Sequence, residues 1–477
     1  MSVKTLGFIL GLSFLLTTIL LPAPGDMPVS AWHTAGIALL IATWWATEAI
    51  PIPVTSLLPI LLFPALEIMN IKASTAHYAD PIIFLLLGGF IIATGLSKWN
   101  LHRRLALNIL NRVGNDPSSI VAGFMMTTAF LSMWISNTAG TIMMIPIALS
   151  LASEVVSDKE ESHHNFTICL LLGIAYAATI GGIGTIIGSP PNAYVVGYLA
   201  ENHAIEISFV EWMMFGVPFA IVMLGSAWWV LAKWVYYFDS KEISVSSDFI
   251  ATELKAMGKF TKQEQRLALV FLFVVVAWIG RPILKNFGIM PWLDDTMIAV
   301  AGIVLMFIVP SGQSEQKYSA LLDWESANKI PWGVLLLVGG GLSLSGAIKE
   351  SGLAVWLGQN LPSFSGLEVI FSVICLIIFI VFLTELTSNT ATMATLAPIL
   401  GSFASVNGID LHLIFVVAVF SVSSAFMLPV ATPPNAIVFA TGWVTIPKMA
   451  KAGFRLSIIA IIMITILSYL LVPLIFG

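Results

Sequence analysis

The chain has 477 residues, of which 58% are hydrophobic and only 10% charged, with a net charge of −5. Soluble domains carry about 25% charged residues, so this composition cannot clothe a water-facing surface and excludes a soluble globular protein. No stretch is basic enough to suggest a nucleic-acid partner, and the charge that exists collects between apolar runs.

A helix needs about 20 apolar residues to cross the hydrocarbon core. Many windows of that kind occur, and no run of alternating segments of about 10 residues points to a barrel. The expected class is an all-α polytopic membrane protein. Lys4 precedes the first apolar run, and Ala23 and Gly25 follow it, as in a signal peptide. No A-x-A cleavage pattern stands there, so an uncleaved span over 5–22 is expected, closing a first unit of residues 1–30.

Further spans are expected near 31–48, 53–66 and 82–98, then 166–182 with a continuation to 200, and 207–232. Residues 239–263 form a long hydrophilic stretch, with Asp239, Lys241, Glu242, Asp248, Glu253, Lys255, Lys259 and Lys262, and read as a linker between halves. Later spans are expected near 266–283, 294–310, 332–348, 411–430 with a continuation to 442, and 456–475. Residues 119–152 and 366–404 are apolar yet broken by Ser-Asn-Thr. Such side chains bond their own backbone and favour turns and caps. Each region therefore reads as a re-entrant hairpin with the triplet at its tip, facing a cavity lined by protein. The layout is about eleven crossings: repeat one over 31–238, the linker, and repeat two over 264–477.

Positive charge sets orientation. Lys4, then Lys98, Arg103, Arg104 and Arg112, then Lys233 and the linker lysines, then Lys448, Lys451 and Arg455 fall on one side of the alternation. That side is expected to be cytoplasmic, with the N-terminus inside and the C-terminus outside. Arg281 and Lys285 are exceptions. Cys169 and Cys375 lie in apolar stretches and read as packing residues. His163 and His164, beside Glu160 and Glu161, read as a solvated loop, and Glu48 and Glu385 as buried structural carboxylates.

The two halves match in register. Gly89, Gly95 and Lys98 recur as Gly340, Gly346 and Lys349, each 251 positions later. Ser136-Asn137-Thr138 recurs as Ser388-Asn389-Thr390, and Ser189-Pro190-Pro191-Asn192 as Thr432-Pro433-Pro434-Asn435. With an odd number of crossings per half, the second half enters the membrane inverted. Interrupted segments at matching positions in two halves point to a transporter's binding site. The phrases offer amides, hydroxyls and helix N-termini, which suit carboxylates, and freed carbonyls, which suit a hard cation. Neither phrase holds Arg, Lys or His, so bound cations are the expected counter-charge for an anion.

This duplicated combination resembles the divalent anion:sodium symporter family of di- and tricarboxylate transporters, over nearly the whole chain. The resemblance implies eleven spans, two re-entrant hairpins, an elevator mechanism, a homodimer in the bacterial inner membrane and no organic cofactor. It implies substrate carboxylates at Ser136, Asn137, Thr138, Ser388, Asn389, Thr390, Thr432 and Pro433. It implies one sodium site at Ser132, Ser136, Asn137 and Gly188, and another at Thr384, Thr387, Asn389 and Ala431. Thr390 at the end of the second triplet favours C4-dicarboxylates over citrate. The rival readings are a sodium-independent di- or tricarboxylate exchanger on the same scaffold and a passive anion channel. An enzyme is not expected, because no nucleophile or metal constellation is present.

Overall fold

A chain crossing hydrocarbon must satisfy its own N–H and C=O groups, and a helix does so within one segment. Helix accordingly makes up most of the fold, with one short antiparallel pair of two-residue strands, Val156–Ser157 and Ile243–Ser244, beside it. The computed structural model describes residues 2–476 apart from 115, 158, 242, 245–248, 313–318, 361–363 and 365. Glu242 and Asp248 of the expected linker lie outside the described residues.

The first half opens with α1 (Val3–Leu20), α2 (Val29–Thr47), the short α3 (Ile52–Thr55), α4 (Leu58–Ala65), α5 (Ile71–Ala76) and α6 (Pro81–Lys98). Then come α7 (Leu101–Leu110), the hairpin of α8 (Pro117–Ser132) and α9 (Asn137–Glu154), α10 (Glu160–Gly182), α11 (Pro190–His203) and α12 (Phe209–Trp229). Residues 230–235 extend α12 as a widened π turn. The linker carries α13 (Phe249–Ala256). The second half runs through α14 (Lys262–Asn286), α15 (Asp295–Ile308), α16 (Trp324–Ala327), α17 (Trp332–Glu350) and α18 (Leu353–Asn360). It ends with the hairpin of α19 (Leu367–Thr384) and α20 (Asn389–Asn407), then α21 (Leu411–Val422), α22 (Pro433–Ala440) and α23 (Ile446–Phe476).

From α6 to α12 and from α17 to α23 the order is the same. A long helix leads through a short one into a hairpin, then a helix broken before Pro-Pro, then a last long helix. Among the described residues, eight helices are long and apolar enough to span a membrane. All but one coincide with an expected crossing. The exception, α19, is a hairpin limb, which gives way to α20 after four residues. The short α7 and α18 were not expected, since neither contains an apolar run of span length.

Without a hydrophobic drive between helices, close backbone approach at small residues holds a membrane bundle together. Gly7 and Gly11 of α1 lie against Thr47 and Trp44 of α2, and Gly36 of α2 against Thr18. Gly88 of α6 meets Ala299 of α15, and Gly302 meets Val274 and Ile92. Gly181 of α10 rests directly on the backbone of Ala129 in α8. Within its apolar window α10 is 94% buried, so it has no lipid face, whereas α1, α14 and α23 are 17–22% buried and form the outer wall.

Several sequence expectations are corrected. His163 and His164 lie on α10, not in a loop, and both pack on Trp443. His163 Nε2 sits 2.9 Å from the Ala152 carbonyl, and His164 meets Lys448. Glu48 is exposed and 3.7 Å from Lys4. Cys169 is a buried packing residue, but Cys375 is exposed on α19. Arg281, an exception to the charge rule, is neutralised by Asp295 at 2.9 Å, in a pair that is nearly buried. The same Asp295 carboxylate accepts from Phe209 N at the start of α12.

A Cβ at Gly181 meets fixed backbone rather than a movable side chain. Gly181→Ala is expected to destabilise the purified protein by about 1–3 kcal/mol, the usual range for overpacking. Gly225→Ala, with open space around it, is the control and should leave the thermal midpoint unchanged.

Candidate functional site

Each Ser-Asn-Thr triplet sits where a hairpin turns and a helix begins. Ser136 is the N-cap of α9, its hydroxyl accepting from Ala139 N at 3.2 Å. Ser388 is the N-cap of α20. The two Pro-Pro phrases start α11 and α22, after N-caps Ser189 and Thr432, because proline at the first helical position forfeits no internal hydrogen bond. Thr432 accepts from Asn435 N at 3.3 Å. Four helix N-termini are thus built from the repeated phrases. α22 packs on α9 and α10, and α11 on α17 and α20, so each half's broken helix lies against the other half's hairpin.

In the first half, the Asn137 amide lies against Gly182. A Cβ at Gly182 would stand 2.6 Å from Asn137 Oδ1 and 3.0 Å from the Gly188 carbonyl oxygen. Ser132 Oγ is buried close to Gly140, one turn into α9. Among the described residues neither Ser132 Oγ nor Asn137 Oδ1 has a hydrogen-bond partner. Asn137 and Gly188 therefore meet at Gly182, Ser132 lies beside Gly140, and Ser132 and Asn137 present unpaired buried oxygens. Such atoms cost about 1–3 kcal/mol each if left unsatisfied, and a hard cation is one way to satisfy them. Ser136 contributes its hydroxyl to the cap instead, and Thr138 is half-buried.

In the second half, Thr384 Oγ donates to Asn389 Oδ1 at 2.7 Å and lies 2.9 Å from the Val422 carbonyl. Thr384 and Asn389 are thereby joined. The Thr387 hydroxyl does not reach them: it bonds the Leu383 carbonyl and Thr392, at 3.0 and 2.7 Å. Only the Thr387 backbone remains available to an ion. Ala431, Thr432 and Thr390 are buried, while Pro433 is exposed.

Two further features escaped the sequence reading. The asparagines that end the Pro-Pro-Asn phrases are fully buried and tie down the breaks. Asn192 Nδ2 donates to the carbonyls of Gly182 and Thr185 at 2.9 and 2.8 Å. Asn435 Nδ2 reaches those of Ala425 and Leu428 at 3.5 and 3.1 Å. The offsets are ten and seven residues back in both halves. The second feature is the role of Glu385, 2% exposed as expected of a structural carboxylate. Its oxygens accept from three consecutive backbone N–H groups, Phe426, Met427 and Leu428, at 2.7–3.0 Å. The spacing of the duplicated phrases could have flagged the asparagines. Nothing local could have flagged what Glu385 holds, because its partners are about forty residues away.

Two hairpins, two broken helices and a buried polar seam between them define a membrane transporter. The chain belongs to the family described as the sodium:sulfate symporter transmembrane region, whose model matches residues 2–476. Relatives include the sodium-dependent dicarboxylate transporter SdcS of Staphylococcus aureus strains USA300 and MRSA252. Each is 42% identical over 481 residues, covering 99% of this chain and 92% of the relative. Among solved structures, Neisseria gonorrhoeae MtrF, described as illuminating a class of antimetabolite efflux pumps, aligns with a TM-score of 0.56 at 14% identity over 98% of this chain and 94% of its own. The Alcanivorax borkumensis YdaH transporter aligns with a TM-score of 0.52 at 13% identity over 99% of both. At that identity these two show a shared fold alone. The family and these relatives are transporters, so the chain works by transport and not by catalysis.

Glu385→Ala would strand three backbone N–H groups, one buried and two partly buried, each costing up to about 1–3 kcal/mol. The expected outcome is a large drop in the thermal midpoint of the purified protein. Glu385→Gln, which keeps one acceptor oxygen, should fall between Ala and wild type. Glu350→Ala, at an exposed position, should match wild type.

Proposed function

We propose that this protein imports C4-dicarboxylates such as succinate, malate and fumarate by symport with sodium ions. The observation that carries this reading is the pair of equivalent seams, in which oxygen donors gather beside four helix N-termini without a basic side chain. Among the described residues, no Arg, Lys or His hydrogen-bonds to either triplet or either Pro-Pro phrase. A dianion held there by Ser136, Asn137, Thr138, Ser388, Asn389, Thr390, Thr432 and Pro433 needs a cationic companion, because an uncompensated buried charge is expensive. Oxygen-only seams suit sodium in that part, as cargo. One ion would sit by Ser132, Ser136, Asn137 and Gly188, the other by Thr384, Thr387, Asn389 and Ala431. The sodium-dependent dicarboxylate transporter that is 42% identical supports both choices.

The cycle follows from the charges. Sodium binds first, orders the tips and offsets the carboxylates. The dianion then binds between the two triplets, and the loaded hairpins and broken helices move as one body against the remaining helices, as an elevator. In this reading repeat one spans 31–238 and repeat two 264–477, joined by a cytoplasmic linker, in a homodimer of the plasma membrane with the N-terminus inside and the C-terminus outside. When more than two sodium ions accompany one dianion, each net charge gains about 2.3 kcal/mol per 100 mV of inside-negative potential.

The test is radiolabelled succinate uptake into proteoliposomes under an inward sodium gradient, with potassium in its place as control. Uptake is expected only with sodium. Asn137→Ala and Asn389→Ala are each expected to cut it at least tenfold while the protein still inserts, by analogy with removal of a metal's direct ligands or their supports. Uptake without sodium that requires internal dicarboxylate would make the protein an exchanger and remove both sodium sites.

A further inference from the structure

Breaking a helix inside a membrane frees carbonyls, and freed carbonyls coordinate an ion only if something fixes where they point. Asn192 and Asn435 do this fixing in the two halves. Each is completely buried, each donates to carbonyls ten and seven residues back, and each leaves its own Oδ1 without a partner among the described residues.

The residue seven back is in turn bound to the neighbouring hairpin tip. In the first half, Thr185 donates its hydroxyl to the Met133 carbonyl at 2.5 Å and accepts from Gly188 N at 3.0 Å. In the second half, Leu428 N donates to the Glu385 carboxylate at 3.0 Å. Met133 and Glu385 are equivalent positions, three residues before Ser136 and Ser388. They directly follow Ser132 and Thr384, one expected sodium ligand from each half. The same circuit therefore closes twice: asparagine to loop, loop to tip, tip to ion site. Its loop-to-tip joint uses a neutral hydroxyl in one half and a carboxylate in the other.

We propose that Asn192 and Asn435 are paired positioning residues for sodium, each locking a broken helix to the adjacent hairpin tip so that an ion's oxygen ligands from both elements arrive as one unit. This rests on the sodium-symport reading. Neither asparagine contacts the substrate in this scheme, so its loss changes sodium affinity and leaves the dicarboxylate KM unchanged once sodium is saturating.

Asn192→Asp keeps the shape but turns the amide donor into an acceptor facing carbonyl oxygens. The sodium concentration for half-maximal succinate uptake is expected to rise about tenfold or more, the usual effect of losing a support behind a metal ligand. The succinate KM at saturating sodium should stay within about twofold of wild type. Asn435→Asp should behave alike. A second readout, independent of transport, is the rise in thermal midpoint of the detergent-solubilised protein on adding sodium chloride in place of choline chloride, which should shift to higher sodium in both variants. Asn202→Asp, further along α11, where the side-chain amide donates to the Tyr198 carbonyl of its own helix, should keep wild-type sodium dependence. If Asn192→Asp yields no folded protein, Thr185→Val decides the matter, since it removes the loop-to-tip joint without adding charge, and the same sodium shift is expected. Unchanged sodium dependence in the folded variants, or a lower maximal rate at unchanged sodium dependence, overturns the proposal. Absence of any sodium effect on wild type itself overturns the symport reading beneath it.

Discussion

Everything in this fold answers to one constraint: two helices stop in mid-membrane, and their exposed backbone must be satisfied there. Each unpaired N–H or C=O in hydrocarbon costs several kcal/mol, so a break survives only where protein surrounds it. α10 supplies those surroundings in the first half, buried on all sides and pressed onto α8 through Gly181. In the second half Glu385 supplies them by accepting from three N–H groups in a row. The breaks are tolerated because side chains replace the hydrogen bonds the helix gave up.

The two halves reach the same geometry with different chemistry. Thr185 closes the first joint with a hydroxyl, and Glu385 closes the second with a carboxylate. Asn192 and Asn435 are alike in both. The element that donates to the carbonyls is thus the same in both halves, while the tip contact differs. The unpaired Ser132 Oγ and Asn137 Oδ1 have no match in the second half, where Thr384 donates to Asn389. The first seam therefore keeps unpaired oxygens where the second joins the equivalent pair in a hydrogen bond.

Around this seam the rest of the chain is a support of familiar kind. Small residues bring α1 to α2 and α6 to α15, and the outer helices present unbroken apolar faces to lipid. Several charges are paired: Arg103 with Glu253 and Arg104 with Glu264 pin the linker region to α7, and Lys98 pairs with Asp323. Arg281 violates the simple charge rule without penalty because Asp295 lies beside it, fourteen positions along the chain and on the next helix.

The sequence by itself determined the class, the order of the long apolar helices, the positions of the two triplet turns and the duplicated phrases. All of these depend on local runs of apolar residues and on where Ser, Asn, Thr and Pro interrupt them, which neighbours along the chain decide. It also singled out Asn137, because duplication marks a position regardless of its contacts, whereas Gly188 entered only through the resemblance to the family. It misjudged His163 and His164, whose polar neighbours suggested a loop while Trp443, far along the chain, covers them. It took Glu48 for buried when an exposed helix end holds it. The work of Asn192, Asn435 and Glu385 was decided only by tertiary structure. A hydrogen bond to a backbone group leaves no trace in the identity of the residue that supplies it, so which broken end meets which side chain is fixed by how the two halves fold onto each other.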